Sequence, residues 1–133
     1  MDTMKELFGD VIYSYTRKQA IDDGVLVDVT EMAREAGIRF PVALTASVWH
    51  EYVVPGEELK SFGQSTEGRL WDVLWMFRCS AVKNVSAIMF YELFFSMMAE
   101  NRKPEQRLVK LKAVCGPGDH GEPVITIMKP GED

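Results

Sequence analysis

The chain has 133 residues, 47% of them hydrophobic and 26% charged, with a net charge of -5. That is enough chain to bury a core without metal or disulfide support, too apolar for disorder, and too acidic for a general nucleic-acid binder, whose footprint is basic. No apolar run reaches the length of a membrane span, the first residues lack the charged and apolar regions of a signal peptide, and two cysteines make no framework; a single cytoplasmic domain over 1–133 with reduced thiols is expected.

The acidic excess lies in the first half: residues 1–66 hold 11 acids against 6 bases, whereas 67–133 hold 9 of each. Short helices with explicit boundaries are predicted there. Thr16-Arg17-Lys18-Gln19 matches a capping box, in which the threonine oxygen accepts from the Gln19 N–H and the glutamine reaches back. Gly24 ends that helix. Val25, Val27 and Val29 alternate around Leu26 and Asp28, as a brief extended segment does. Asp28 or Thr30 caps a second helix that Gly37 closes, and Pro41 blocks continuation. Thr45 caps a third helix through Val48, Trp49 and Tyr52, stopped by Pro55-Gly56; the stretch from there to Gly63 reads as a loop.

The longest helix opens at Ser65 or Thr66 and stops near Asn84. Leu70, Leu74, Phe77 and Ala81 share one side, flanked by Trp71, Trp75 and Val82, with Arg69, Asp72, Arg78 and Lys83 opposite. Trp71, Leu74 and Trp75 are expected to be buried against the strands that follow. From 87 to 97 the chain is almost continuously apolar and aromatic, which predicts a strand buried on both faces. A polar turn spans 100–105. Val109, Leu111, Ala113 and Cys115 then alternate with Lys110 and Lys112, and Val124-Ile125-Thr126-Ile127-Met128 forms a third strand. Short turns between successive strands imply antiparallel pairing. The predicted class is α+β: several short N-terminal helices and one long helix packed on a C-terminal three-stranded antiparallel meander.

Familiar chemistry is missing from the residue pattern. There is no phosphate loop, no Gly-x-Gly-x-x-Gly and no Cys-x-x-Cys. His50-Glu51 lacks the second histidine of a zinc peptidase, and neither a metal site nor a cofactor is expected. Cys115 and His120 straddle the turn Gly116-Pro117-Gly118-Asp119-His120-Gly121, an arrangement a thiolate nucleophile could use; Cys115 continues an apolar strand face, however, and reads as a core thiol, with His120 solvated at the turn tip. Arg102, Lys103, Arg107, Lys110 and Lys112 form the one basic cluster, with Tyr91 or Phe95 near enough in sequence to stack on bases. Glu100 and Glu105 dilute it, and lysines on a strand face also guard edges, so a solvated face is the preferred reading. Asn84-Val85-Ser86 is a glycosylation sequon by pattern alone.

Three glycines in six residues exceed what a tight reversal needs. The turn at 116–121 is therefore expected beside Tyr13, Tyr15 and Arg17, and a binding site made of Tyr13, Tyr15, Arg17, Asp119 and His120 is the candidate.

The string Ile12-Tyr13-Ser14-Tyr15-Thr16-Arg17-Lys18-Gln19-Ala20-Ile21-Asp22-Asp23-Gly24, with Ala33-Arg34-Glu35-Ala36-Gly37, Leu70-Trp71-Asp72-Val73-Leu74-Trp75-Met76 and Lys112-Ala113-Val114-Cys115-Gly116-Pro117-Gly118-Asp119, resembles a family of small uncharacterised bacterial proteins carried on plasmids, phages and other mobile elements. The resemblance covers most of the chain and departs around 88–104. It carries no established activity. The expectation is a non-enzymatic cytoplasmic interaction protein, an accessory factor of a mobile element with a protein partner. The first alternative is a small enzyme at the glycine turn, using Tyr15, Arg17 and Asp119 with His120 as general base. The second is a weak nucleic-acid module on the basic cluster at 102–112.

Overall fold

A computed structural model describes residues 15–83 and 86–133. Helix α1 (Arg17–Asp22) starts on the capping box: Thr16 Oγ1 accepts from the Gln19 N–H at 3.0 Å, and the Gln19 side chain accepts from the Thr16 N–H at 2.9 Å. Gly24, at φ 79°, takes the left-handed turn that other residues resist. Strand β1 (Leu26–Asp28) leads into α2 (Thr30–Glu35), strand β2 (Val42–Thr45) and helix α3 (Ala46–Val48). Thr45 caps α3, which widens into a π-helical turn over Trp49–Val53. The segment after Pro55 contains a short helix, α4 (Glu57–Ser61), where a loop was expected. Helix α5 (Thr66–Ala81) follows, capped by Ser65 on the Gly68 N–H at 3.0 Å. Strands β3 (Ile88–Met98), β4 (Pro104–Pro117) and β5 (Pro123–Met128) complete the chain.

The expected three-stranded antiparallel meander is not the sheet. The five strands form one mixed sheet in the order β1-β2-β5-β4-β3. β3–β4 and β4–β5 pair antiparallel, but β2 lies parallel to β5, with Val42 opposite Ile125 and Leu44 opposite Ile127. The reason is burial. Val42, Ala43 and Leu44 are completely buried, and three residues between a proline and a helix cap show neither period. Burial on both faces by a parallel neighbour, reached through a crossover, has no local signature.

Helices cover both faces unevenly. On one face α5 sets Leu70, Val73, Leu74 and Phe77 against Met89, Tyr91, Leu93 and Phe95 of β3 and Leu111 of β4. Tyr91 is buried and donates to the Val73 carbonyl at 3.0 Å; Phe77 meets it edge-on. On the other face α1 buries Ala20, and Arg17 reaches the sheet at Thr126.

Three further expectations are corrected. β3 is not buried on both faces: it alternates, with Met89, Tyr91, Leu93 and Phe95 inward and Ile88, Phe90, Glu92 and Phe94 exposed. Trp71 and Trp75 are not core residues; they stack on each other at 5.9 Å on the flank of α5, 37% and 41% exposed. Cys115 is not a core thiol but an exposed one. It lies two residues past Ala113, at the end of β4, where the inward face runs out from under α5 and opens on a cavity of about 200 Å³ lined by Phe40, Phe77, Ala81, Met89, Cys115 and Ile125.

Candidate functional site

Asp119 comes to α1 from across the chain. Its Oδ1 accepts from the Arg17 N–H at 2.8 Å and its Oδ2 from the Lys18 N–H at 3.0 Å. These are N–H groups that a helix start leaves without intrahelical partners, so Thr16 and Asp119 divide the cap between them. The two backbone bonds hold the Asp119 carboxyl below its ordinary pKa, against a smaller opposing effect of burial. The Arg17 side chain turns away to the sheet. Its Nη1 donates to Thr126 Oγ1 and its Nη2 to the Ile125 carbonyl, both at 2.7 Å. Burial lowers the pKa of this guanidinium, and Asp28, Asp119 and Glu122 raise it.

The remaining candidates diverge. Tyr15 donates to Asp23 Oδ2 at 2.9 Å, and that bond raises its phenol pKa. His120 is exposed and uses its backbone N–H on Glu122 Oε2 at 3.0 Å. Tyr13 lies outside the described residues, as do Asn84 and Val85 of the sequon. The glycine turn has a steric explanation. A Cβ on Gly118 would fall 1.8 Å from Glu122 Oε1 and 2.9 Å from Val124 Cγ1, and Gly121 sits at φ 82°. Arg17 and Asp119 do meet, therefore, through groups that already have partners, beside an open hollow lined also by Lys18, Asp28, Thr30 and Glu122.

The basic cluster is split by pairing. Arg107 bonds Glu105 at 2.7 Å, Arg102 stands 3.9 Å from Glu58, and Lys112 donates to the Glu132 carbonyl. Among the described residues no group of three His, Cys, Asp or Glu side chains is placed to hold a metal ion, and no helix is long and apolar enough to cross a membrane.

A third surface was missed in the residue pattern. β5 pairs only with 112–117 of β4, so 91–98 and 104–111 run on together as a two-stranded ribbon. Its inner side is closed by Tyr52 stacked on Phe95 at 5.5 Å and by Arg69 over the same ring at 4.8 Å. Arg69, expected on a polar helix side, is buried; it donates to the carbonyls of Tyr52 at 2.7 Å and Ser96 at 2.9 Å and to Gln64 Oε1 at 3.0 Å. On the outer side of β3 and the part of β4 paired with it, large apolar side chains stand exposed. Ile88, Phe90, Phe94 and Leu108 are 52%, 50%, 61% and 54% exposed there. Phe94 pairs across the strands with Leu108, Glu92 with Lys110 and Phe90 with Lys112. The Lys110 ammonium lies 5.5 Å from the centre of the Phe90 ring. Scattered apolar side chains on a surface are ordinary, but these four large ones share one side of two paired strands, on either side of the charged Glu92–Lys110 row. The signal for it was the even-numbered half of the run at 88–94, hidden because the odd-numbered half is apolar too.

No curated protein and no solved structure matches the chain. The profile of the Family of unknown function (DUF6573) matches residues 4–133. The chain belongs to that family of unknown function.

Proposed function

We propose that this chain is a non-enzymatic interaction protein that docks a protein partner on the open face of β3 and β4. The observation that carries the reading is the set Ile88, Phe90, Phe94 and Leu108, each at least half exposed on one side of one two-stranded surface. Leaving such side chains in water costs roughly 25 cal/mol per Å² of apolar surface, and a partner that covers them recovers it. Ser96 and Gln106 form a polar row beyond Phe94 and Leu108, as at an interface rim. An enzyme at the glycine turn finds less support, because the carboxylate of Asp119 and the guanidinium of Arg17 are already bonded within the fold. The cytoplasm is the proposed compartment, since both cysteines are free thiols. A bacterial mobile element is the proposed setting, on the strength of the sequence resemblance.

A photo-cross-linking residue placed at Phe94 in cells tests this. Protein adducts should form there, should be absent with the same probe at exposed Glu31 of α2, and should disappear on Leu108→Glu. A Phe94 probe that captures no protein sinks the reading.

A further inference from the structure

The open face carries more than apolarity: its pattern is self-complementary. Resting on the reading above, we infer that its occupant is a second copy of this chain, packed face to face about a two-fold axis parallel to the strands. The outward side chains form two columns paired row by row, Ile88 beside Val114, Glu92 beside Lys110 and Phe94 beside Leu108. A two-fold axis along the strands exchanges the columns and keeps the rows. Each β3 then lies over the β4 of the other copy. Glu92 faces the partner's Lys110, Phe94 faces the partner's Leu108, and every contact is made twice, as an isologous interface requires. An axis across the strands would instead set β4 on β4 and crowd the lysines of the two copies together.

The charges support this occupant. Glu92 and Lys110 are both exposed, and among the described residues neither is in an ion pair, although other exposed charges are. The carboxylate of Glu92, in one row with Lys110 and between two phenylalanines, is out of place on a face that binds a purely apolar groove. It is in place where an identical face brings an ammonium to it. The four apolar side chains present on the order of 450 Å², within the range of patches that mark interaction sites. A standard interface buries ~800 Å² per partner, so the polar side chains of the same rows must be covered together with the apolar ones. Sheets packed face to face in this way stand about 10 Å apart with their strands aligned to within about 30°.

Sedimentation equilibrium on the full chain reads the answer. The wild-type protein should have twice the 15.1 kDa mass of one chain. Glu92→Lys alone and Lys110→Glu alone should each shift it to the monomer, because like charges then face each other across the axis. An equimolar mixture of the two variants should restore the dimer, since each charge again meets its opposite only between chains. The pair within each chain stays mismatched in that mixture, so restoration cannot come from intramolecular repair. If either charge variant fails to fold by circular dichroism, Phe94→Ser at its exposed position is the second test and should also give a monomer. A wild-type protein monomeric throughout the micromolar range overturns the inference, as do charge variants that stay dimeric or a mixture that stays monomeric. In a monomer, a Phe94 probe cross-linked to a different protein leaves the interaction reading standing and removes only the second copy. A probe that lands on residues 1–14 of its own chain, or captures nothing, removes both.

Discussion

Asp119 shows how one side chain can tie the two ends of a chain together. It accepts the Arg17 N–H from 102 residues away, and the Lys18 N–H beside it. Only the carboxylate accepts both bonds, so its pKa in the folded protein lies below the ~3.9 of an unfolded aspartate. The contribution to stability is therefore complete above the unfolded value and is lost as pH falls through the lowered folded value. Thermal melts should show Asp119→Ala less stable than wild type at neutral pH, with the two curves converging in acid; a gap that persists unchanged to the acid limit would assign the effect to something other than the carboxylate. Arg69 is the opposite case, a buried cation held by neutral acceptors. Burial lowers its pKa and nearby Asp72 raises it, but a guanidinium stays charged at any working pH. Arg69→Ala leaves the Gln64 Oε1 and the Tyr52 and Ser96 carbonyls without their donor and empties the space over Phe95. Hydrogen bonds to charged groups contribute about 1.5–3 kcal/mol each and are not additive, so a loss of roughly 3 kcal/mol or more is expected in urea unfolding; a loss under 1 kcal/mol would mean water replaces the arginine freely.

At the scale of elements, β3 sets the lesson, because neighbouring residues should behave in opposite ways. Leu93 is 4% exposed under α5 and Phe94 is 61% exposed on the other side. Leu93→Ala should cost about 2–5 kcal/mol, the range for core truncations. Phe94→Ser should change monomer stability by no more than about 0.5 kcal/mol. Urea titration of both at a concentration too low for self-association checks it, and equal losses would return β3 to the doubly buried strand its composition suggests. This shows what was legible. Local signals were: the Thr16–Gln19 box, the left-handed Gly24 and Gly37, and the Ser65 start of α5 are each decided within a few residues. Side assignment was not. Trp71 and Trp75 sit beside Leu70 and Leu74 on the helical wheel, yet they stack on each other and stay 37% and 41% exposed, with Arg78 over the Trp75 ring at 5.2 Å, an outcome of tertiary packing that helical spacing does not report. Cys115 extends the alternation of Leu111 and Ala113 beyond the reach of α5, and alternation does not report where a covering helix ends. The candidate site at the glycine turn was legible as a cluster of unusual residues; that Gly118 is required by Glu122 and Val124 depends on contacts no spacing rule contains.

The whole molecule is held by the β2–β5 pairing, which the residue pattern hid. If α5 and the last three strands formed a complete helix-on-meander unit, a fragment starting at Thr66 would fold alone. In the observed sheet β5 is an interior strand: β4 lies on one side and β2 on the other, with Ile125 and Ile127 buried at 5% and 0% exposure. Removing residues 1–65 takes away Val42, Leu44, Val48 and Val53, all completely buried in the same core, together with α1 on the far face. It strips β5 of a parallel neighbour, leaves an apolar interior strand as a bare edge, and removes the Tyr52 carbonyl and the Gln64 side chain that Arg69 requires. A chain of that length has little core to lose, because small units bury a low fraction of their surface. The fragment 66–133 should therefore show no cooperative thermal transition by circular dichroism and should aggregate through β5, whereas the full chain should unfold in one step. A sharp, reversible transition in the fragment would mean that the β2–β5 pairing decorates the fold without holding it together, and that the C-terminal half is the unit of stability after all.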